Sequence, residues 1–174
     1  MTVLEFEGKK PFIHSSSYVS STALIIGDVR IKENASVWFY SVLRGDSNTI
    51  ELGEYSSVLD GVLIKPDESA CIIGKKVTIG KGSILEGVII EEGSVIGAGS
   101  IILENARVGR GSFVAAGSLV PQYMIIPENS IVMGNPAKVV GEVKPQQRKY
   151  AEESWRKSLI LKDLYKNNYK NIMY

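Results

Sequence analysis

The sequence predicts an all-β solenoid, a parallel β-helix of stacked triangular coils, with a C-terminal α-helix beside it. Three observations lead there. An aliphatic residue recurs at every sixth position over most of the chain. A small residue stands four places after it. Both patterns stop near residue 142, where charged, amphipathic sequence begins. A period of six is a multiple of the two-residue strand repeat and is not a multiple of 3.6, so it marks strands and not helices.

The first run is Ile13, Val19, Ile25, Ile31, Val37 and Leu43, with Ser17, Ala23, Val29, Ala35, Ser41 and Ser47 as the residues four places on. A short insertion around Asn48–Glu51 interrupts it. The register resumes at Leu52, Val58 and Ile64, breaks again over Pro66–Cys71, and returns at Ile73, Ile79 and Leu85. It then slips by one residue and runs Ile90, Ile96, Ile102, Val108, Val114 and Val120. Ile126 and Val132 extend it weakly. Six residues hold one short strand and one corner, so three rungs make a coil of roughly 18 residues, and the chain makes about six to seven coils. Coils stack at the roughly 4.8 Å spacing of paired strands. The aliphatic side chains point inward, and the small ones sit near the crowded corners. Gly53, Gly74, Gly80, Gly97 and Gly109 directly follow inward or paired aliphatic residues, where a turn calls for a residue without a β-carbon.

Residues 1–142 thus form the repeat unit, and residues 143–174 a helical segment packed on it. Pro145 suits a first helical turn, where its missing N–H would have no partner anyway. From Gln146 to about Tyr169 there is neither Pro nor Gly. Tyr150, Trp155, Leu159, Leu161, Leu164 and Tyr165 give a broad apolar face, with room for a break near Ser158.

Composition narrows the function. The chain has 174 residues, 44% of them hydrophobic, and a net charge of +1. One domain of this size can bury a core. Balanced charge gives no electrostatic footprint for nucleic acid. Residues 142–174 carry a balance of +4 and the remainder −3, which reads as a basic, solvated helix face. No apolar run reaches the roughly 18 residues that span a membrane, and Met1–Lys10 lacks the apolar stretch of a secretory signal, so a cytoplasmic setting is expected. The single cysteine, Cys71, excludes an intrachain disulfide and reads as a small buried hydrophobe. The single histidine, His14, excludes any site that needs two histidines from one chain. It reads as a surface or capping residue.

The segments SVWFYSVLRGD at Ser36–Asp46, VLDG at Val58–Gly61, VTIGKGSILEG at Val77–Gly87, VIGAGS at Val95–Ser100 and GNPAK at Gly134–Lys138 closely resemble the γ-class carbonic anhydrases. The resemblance covers about residues 10–142. It implies a left-handed parallel β-helix of hexapeptide repeats assembled as a trimer. It also implies zinc or iron held by three histidines at a subunit interface, where the metal lowers the pKa of bound water for attack on carbon dioxide. The positions matching those histidines are Lys65, Lys81 and Glu86. All three are replaced. Leu59 and Val132 stand where the family carries a glutamine and a tyrosine. Arg44, Asp46 and Asp60 are retained, and the resemblance places them near subunit contacts as orienting groups.

The repeat register itself arranges the three replaced positions. Lys65 follows Ile64 and Glu86 follows Leu85, three rungs later, so both lie on one face in adjacent coils. Lys81 sits one rung earlier on a different face and joins them only from a neighbouring subunit. A protonated lysine is no metal ligand, and one carboxylate is a poor zinc site. The expected cofactor is therefore none. Lys81 of one chain with Lys65 and Glu86 of the next would instead form an interfacial charge network that sets register more than stability. Its residual positive charge leaves room for Asp60, Asp46 or a small bound anion. Asp67 and Glu68 read as a solvated loop. No catalytic residue is assigned.

The resulting expectation is a γ-carbonic-anhydrase-like homotrimer without zinc and without carbon dioxide hydration, acting as a structural or ligand-binding subunit. A mixed trimer with a catalytic paralogue stays open, and neither nucleic acid nor membrane is an expected partner. Two alternatives stay open as well. One is a hexapeptide acyl-CoA-dependent transferase, for which only His14 could serve as general base. The other is a metalloenzyme with carboxylate ligands such as Glu86 and Asp60, which Lys65 and Lys81 would oppose.

Overall fold

The computed structural model describes residues 2–168. Three inward ladders form the core. Ile13, Ile31, Leu52, Ile73, Ile90, Val108 and Ile126 pair in parallel on a first face. Val19, Val37, Val58, Ile79, Ile96, Val114 and Val132 pair on a second. Val3, Ile25, Leu43, Ile64, Leu85, Ile102 and Val120 pair on a third. Ladders of seven rungs on each face make about seven turns of a left-handed parallel β-helix. Most strands are two residues long, because a corner must follow each. The two longest, Leu24–Ile31 and Val42–Leu52, run from the third face onto the first without a corner.

Inward serines fasten one coil to the next. Ser17, Ser41, Ser56, Ser94 and Ser112 donate to the carbonyl oxygens of Lys32, Leu59, Gly74, Gly109 and Pro127 at 2.6–2.9 Å. A hydroxyl this deep needs a partner, and the corner carbonyl above supplies it. Ser47 departs from the expected pattern and is exposed. Pairing passes from Gly27↔Gly45 to Val29↔Ile50, so the insertion falls within Asp46–Thr49, opposite Asp28 alone, and Ile50 takes the inward place.

The glycines after aliphatic residues have a different reason from the one expected. Gly53 and Gly80 do not take a left-handed backbone. A β-carbon on Gly53 would lie 2.6 Å from the carbonyl carbon of Gly74, and one on Gly80 would lie 2.5 Å from the amide nitrogen of Ala98. What these positions require is close approach of the next coil. In the last coil, Ser130–Gly134 places Val132 in the second ladder and pairs antiparallel with Ala137–Glu142 on its other side, through a turn at Asn135 and Pro136.

Helix α1 spans Pro145–Asn168 without a break at Ser158. Tyr169 lies outside the described residues. The helix lies on the second face. Trp155, Ser158 and Lys162 are buried at spacings of three and four residues, and Tyr165 is half-buried. Tyr150, Leu161 and Leu164 are exposed, contrary to the expected apolar face. The reason is that the second face offers hydroxyls and rings (Tyr18, Ser36, Ser57, Thr78) and takes a mixed helix surface in return. No helix among the described residues is long and apolar enough to cross a membrane.

The outer rows of the three faces differ in kind. On the first face, ion pairs Lys32–Glu51 and Arg107–Glu91 lie open to solvent. The second is roofed by α1. The third carries Leu24, Val42, Leu63, Ile84, Ile101 and Leu119 in consecutive register, an aliphatic row in which Leu63 is exposed and the others are half-buried.

Candidate functional site

One residue past each inward position on the third face, parallel pairing stacks Ile26, Arg44, Lys65, Glu86 and Leu103 in consecutive coils. The Ile26↔Arg44 step is direct, and the inward pairs Leu43↔Ile64, Ile64↔Leu85 and Leu85↔Ile102 carry the rest. The backbone amide of Lys65 donates to Leu85 O at 3.0 Å, and that of Glu86 to Ile102 O at 3.0 Å. Lys65 and Glu86 are therefore neighbours one strand apart, as the repeat register requires.

Lys81 stands elsewhere, on the corner between the second and third faces. Corner residues Phe39, Asp60, Lys81 and Ala98 stack there through amides of Gly61, Gly82 and Gly99 that donate to the carbonyls of Phe39, Asp60 and Lys81 at 2.8–2.9 Å. Within one chain, the fold brings Lys65 and Glu86 together and keeps Lys81 apart from both.

Each cation of this group has an acid of its own chain. Arg44 Nε donates to Asp46 Oδ2 at 2.5 Å. Burial of Asp46 favours its neutral form, but the hydrogen bond from Arg44, the amide of Ser47 and the Arg44 charge together outweigh it and hold the carboxyl below 3.8. Lys65 Nζ pairs with Asp67, so that loop acid is an ion-pair partner and not merely solvated. Lys81 Nζ lies 4.0 Å from Asp60 Oδ2, with both side chains largely open to solvent. Glu86 is half-buried and takes part in no ion pair among the described residues.

His14 lies on the first face, in the N-terminal coil. Its Nδ1 accepts from the Ser16 amide at 3.3 Å, and Nε2 stands 3.7 Å from Glu33. This is the capping role expected, on a face away from Lys65 and Glu86. Cys71 is fully buried, and desolvation pushes its thiol up to about 12. Among the described residues, no group of three or more His, Cys, Asp or Glu side chains could hold a metal ion.

One feature escaped the sequence reading. A cleft of about 580 Å³ opens between α1 and the corner that carries Lys81. Trp38, Phe39 and Tyr165 form its aromatic floor, with ring centroids 5.4–5.6 Å from Tyr165, and Lys81, Asp60 and Lys157 stand at its rim. The signal was the aromatic run at residues 38–40, placed at a corner where a ring must point outward. The α1 half of the cleft comes from over 100 positions away and leaves no local mark.

Comparison with known proteins agrees with this fold. Residues 87–122 match the family model of the bacterial transferase hexapeptide, six repeats. A carbonic anhydrase of Geobacillus kaustophilus is 37% identical over 142 residues, which cover 81% of this chain and 78% of that one. The mitochondrial γ carbonic anhydrase 1 of Arabidopsis thaliana is 34% identical over 97 residues, 52% of this chain. The match spans about a third of the plant protein's length (35%). The crystal structure of a hexapeptide transferase family protein from Anaplasma phagocytophilum superposes with a TM-score of 0.92 at 33% identity, covering 94% of this chain and 98% of that one. The chain belongs to the carbonic-anhydrase-like family of hexapeptide-repeat proteins.

Proposed function

We propose that this chain is a γ-carbonic-anhydrase-like homotrimer that has lost the metal site, does not hydrate carbon dioxide, and acts as a structural or ligand-binding subunit. The observation that carries the reading is the chemistry of the three family ligand positions. Lys65 and Lys81 each face a carboxylate, Asp67 and Asp60, and an ammonium has no lone pair to offer a metal. Glu86 alone offers one carboxylate. This donor set does not fit zinc or iron as the family holds them.

Assembly is supported by the third face. A half-exposed aliphatic row along six coils is the kind of surface that a second copy covers. With that face at the interface, Lys65 and Glu86 lie beside it, and Lys81 sits on the adjoining corner, where it can face them from the next chain. The charges change one detail of the expected network. Arg44, Lys65 and Lys81 are neutralised within their own chain, so the uncompensated group is Glu86. The interface then has no surplus cation for a small anion to balance, and Lys81 shared between Asp60 and the neighbour's Glu86 completes the pairing. Its contribution is to register, because desolvation offsets most of the attraction. A mixed trimer with a catalytic paralogue uses the same surfaces.

The acyltransferase alternative loses support from the place of His14, and the carboxylate metalloenzyme from the lack of any acidic cluster among the described residues. The test is metal content and mass of the untagged chain after exposure to zinc, cobalt and ferrous iron. A trimeric mass with less than about one-tenth of an equivalent of metal per chain supports the reading. Near-stoichiometric, chelator-sensitive metal with carbon dioxide hydration overturns it.

A further inference from the structure

Along the corner between the first and second faces, one position per coil adopts a left-handed backbone: Tyr55, Lys76, Gly93, Gly111 and Asn129 in consecutive coils. Tyr55 and Lys76 reach up to α1. The Trp155 ring stands 5.9 Å from the Tyr55 ring and 5.0 Å from the Lys76 ammonium. The next two coils place glycine there. A β-carbon on Gly93 would meet nothing within 4 Å. The floor therefore drops beneath α1 for two coils and leaves a cleft of about 340 Å³. Lys76 and Asn129 close its ends, Arg110 comes from its floor, and Arg148 comes from the first turns of α1 above it.

The charges in this cleft are unevenly spent. The neighbouring ion pairs are Arg107–Glu91 and Arg156–Glu152; Arg110 and Arg148 are in none among the described residues. Arg110 acts on Glu91 through its charge alone, and its backbone amide donates to Glu91 Oε2 at 3.0 Å. Of the two acids of the cleft, Glu152 is engaged on its own helix, and Glu92 is in no ion pair among the described residues. Glu152 accepts from Trp155 Nε1 at 2.9 Å and from Arg156 Nε at 2.7 Å. Glu92 shares its charge with Lys75, whose protonated form is held chiefly by Glu54. Two arginines from opposite walls, a lysine over an indole and an asparagine thus line one cleft.

We propose that this cleft binds an oxyanion of the phosphate kind, free or as the head of a phosphate monoester, between Arg110 and Arg148. A guanidinium presents parallel donors matched to two oxygens of such a group, and two guanidiniums from opposing walls clamp it. Lys76 adds charge from a position already held by Trp155. The glycine floor admits the anion and leaves room for an organic group behind it. The cleft lies under α1, away from the third face.

The test is calorimetric titration of the full chain with inorganic phosphate, methyl phosphate and phenyl phosphate, at fixed ionic strength in potassium chloride. Saturable binding at one site per chain is expected, weakened by about tenfold or more in Arg110→Gln and in Arg148→Gln. Gly93→Asn keeps the backbone conformation and fills the floor, so it weakens binding without removing a charge and carries the test if an arginine variant fails to fold. Tighter binding of phenyl phosphate than of phosphate assigns a monoester; equal or weaker binding assigns the free anion. Absence of saturation, or an affinity unchanged in Gly93→Asn and in both arginine variants, means an adventitious ion only and overturns the proposal.

Discussion

The ammonium of Lys162 donates to the carbonyl oxygen of Ser16 at 3.0 Å, from a residue that is only 2% exposed. It also reaches Asn34 Oδ1 at 3.4 Å and Asp163 Oδ1 at 2.6 Å. A lysine near the C-terminal end of α1 thus closes on the N-terminal coils, more than a hundred residues back along the chain. Lys166 repeats the contact with Ser15 O at 2.7 Å. The charge is buried but fully partnered, which is the condition for keeping it there.

Lys162→Met removes these bonds and leaves the Ser16 carbonyl without its donor. The expected loss of stability is about 2 kcal/mol, in the range of a charge-assisted hydrogen bond. Amide exchange should localise the change to the last turns of α1 and to residues 15–17, with the central coils unaffected. A variant as stable as the parent, with unchanged exchange, would show that the buried lysine is incidental to docking.

Two glycines of the same corner separate two physical roles. A β-carbon on Gly80 would lie 2.5 Å from the Ala98 amide nitrogen, whereas one on Gly82 would meet nothing within 4 Å but sits on a backbone with φ of +67°. Gly80→Ala should therefore force coils apart and cost about 2 kcal/mol or more, in the range of overpacked core changes. Gly82→Asn should cost a few tenths to about 1 kcal/mol, because asparagine tolerates the left-handed region. Denaturant unfolding of the pair checks the order, and the reverse order would refute the close-approach account.

That pair also marks how far the sequence could be read. The inward ladders were legible because Ile64, Leu85 and Ile102 repeat a rule that every coil obeys, and the adjacency of Lys65 and Glu86 follows from the same rule. The reason for Gly80 was not legible, since a glycine required by a neighbouring coil and one required by a turn look alike in one dimension. The α1 surface is hidden for a related reason: the helix's own apolar residues do not report that the second face presents hydroxyls and rings and accepts Ser158 and Lys162 beside Trp155. The two clefts under α1 depend on residues that meet only after the helix folds back.

The aliphatic row on the third face would make the proposed assembly sensitive to a single charge. Leu63 is 37% exposed in the single chain and has Val42 and Ile84 beside it in register. Leu63→Glu keeps the inward ladder intact but places a carboxylate in the proposed contact. Light scattering should show the mass falling to that of one chain, with the circular dichroism of the solenoid retained. A trimer that survives this change would place the interface on another face.

Acid stability should report the Arg44–Asp46 pair. The folded pKa of Asp46 is lowered from 3.8, so its contribution is present at neutral pH and is lost as pH falls from the unfolded value through the folded one. Arg44→Gln removes both the charge and the Nε donor, and the variant should be less stable than the parent at pH 6. The two curves should converge on acidification, once Asp46 is protonated in both. A difference that persists undiminished at about pH 2 would assign the effect to lost packing of the arginine stem instead of the ion pair.

Cys71 supplies a probe of how the solenoid opens. It is fully buried, and burial, the largest influence on it, lifts the thiol from 9.0 to about 12. The folded chain therefore favours the neutral thiol, and this contribution is complete below about pH 9 and fades as pH rises toward 12. At pH 8 a thiol-specific disulfide reagent should react with native protein only through opened molecules, because the thiolate is the nucleophile and the folded site excludes it. The strand Cys71–Ile73 pairs with Ile50–Leu52 on one side and with Ile89–Ile90 on the other, so exposing the sulfur requires parting central coils. Labelling should then accelerate as urea lowers the free energy of global unfolding. Fast labelling in the absence of denaturant would instead reveal local opening of the loop before Cys71, where Ser69 is held by Glu104 and Asn105 at 2.7 Å and 2.6 Å. Glu104→Gln would then accelerate it further.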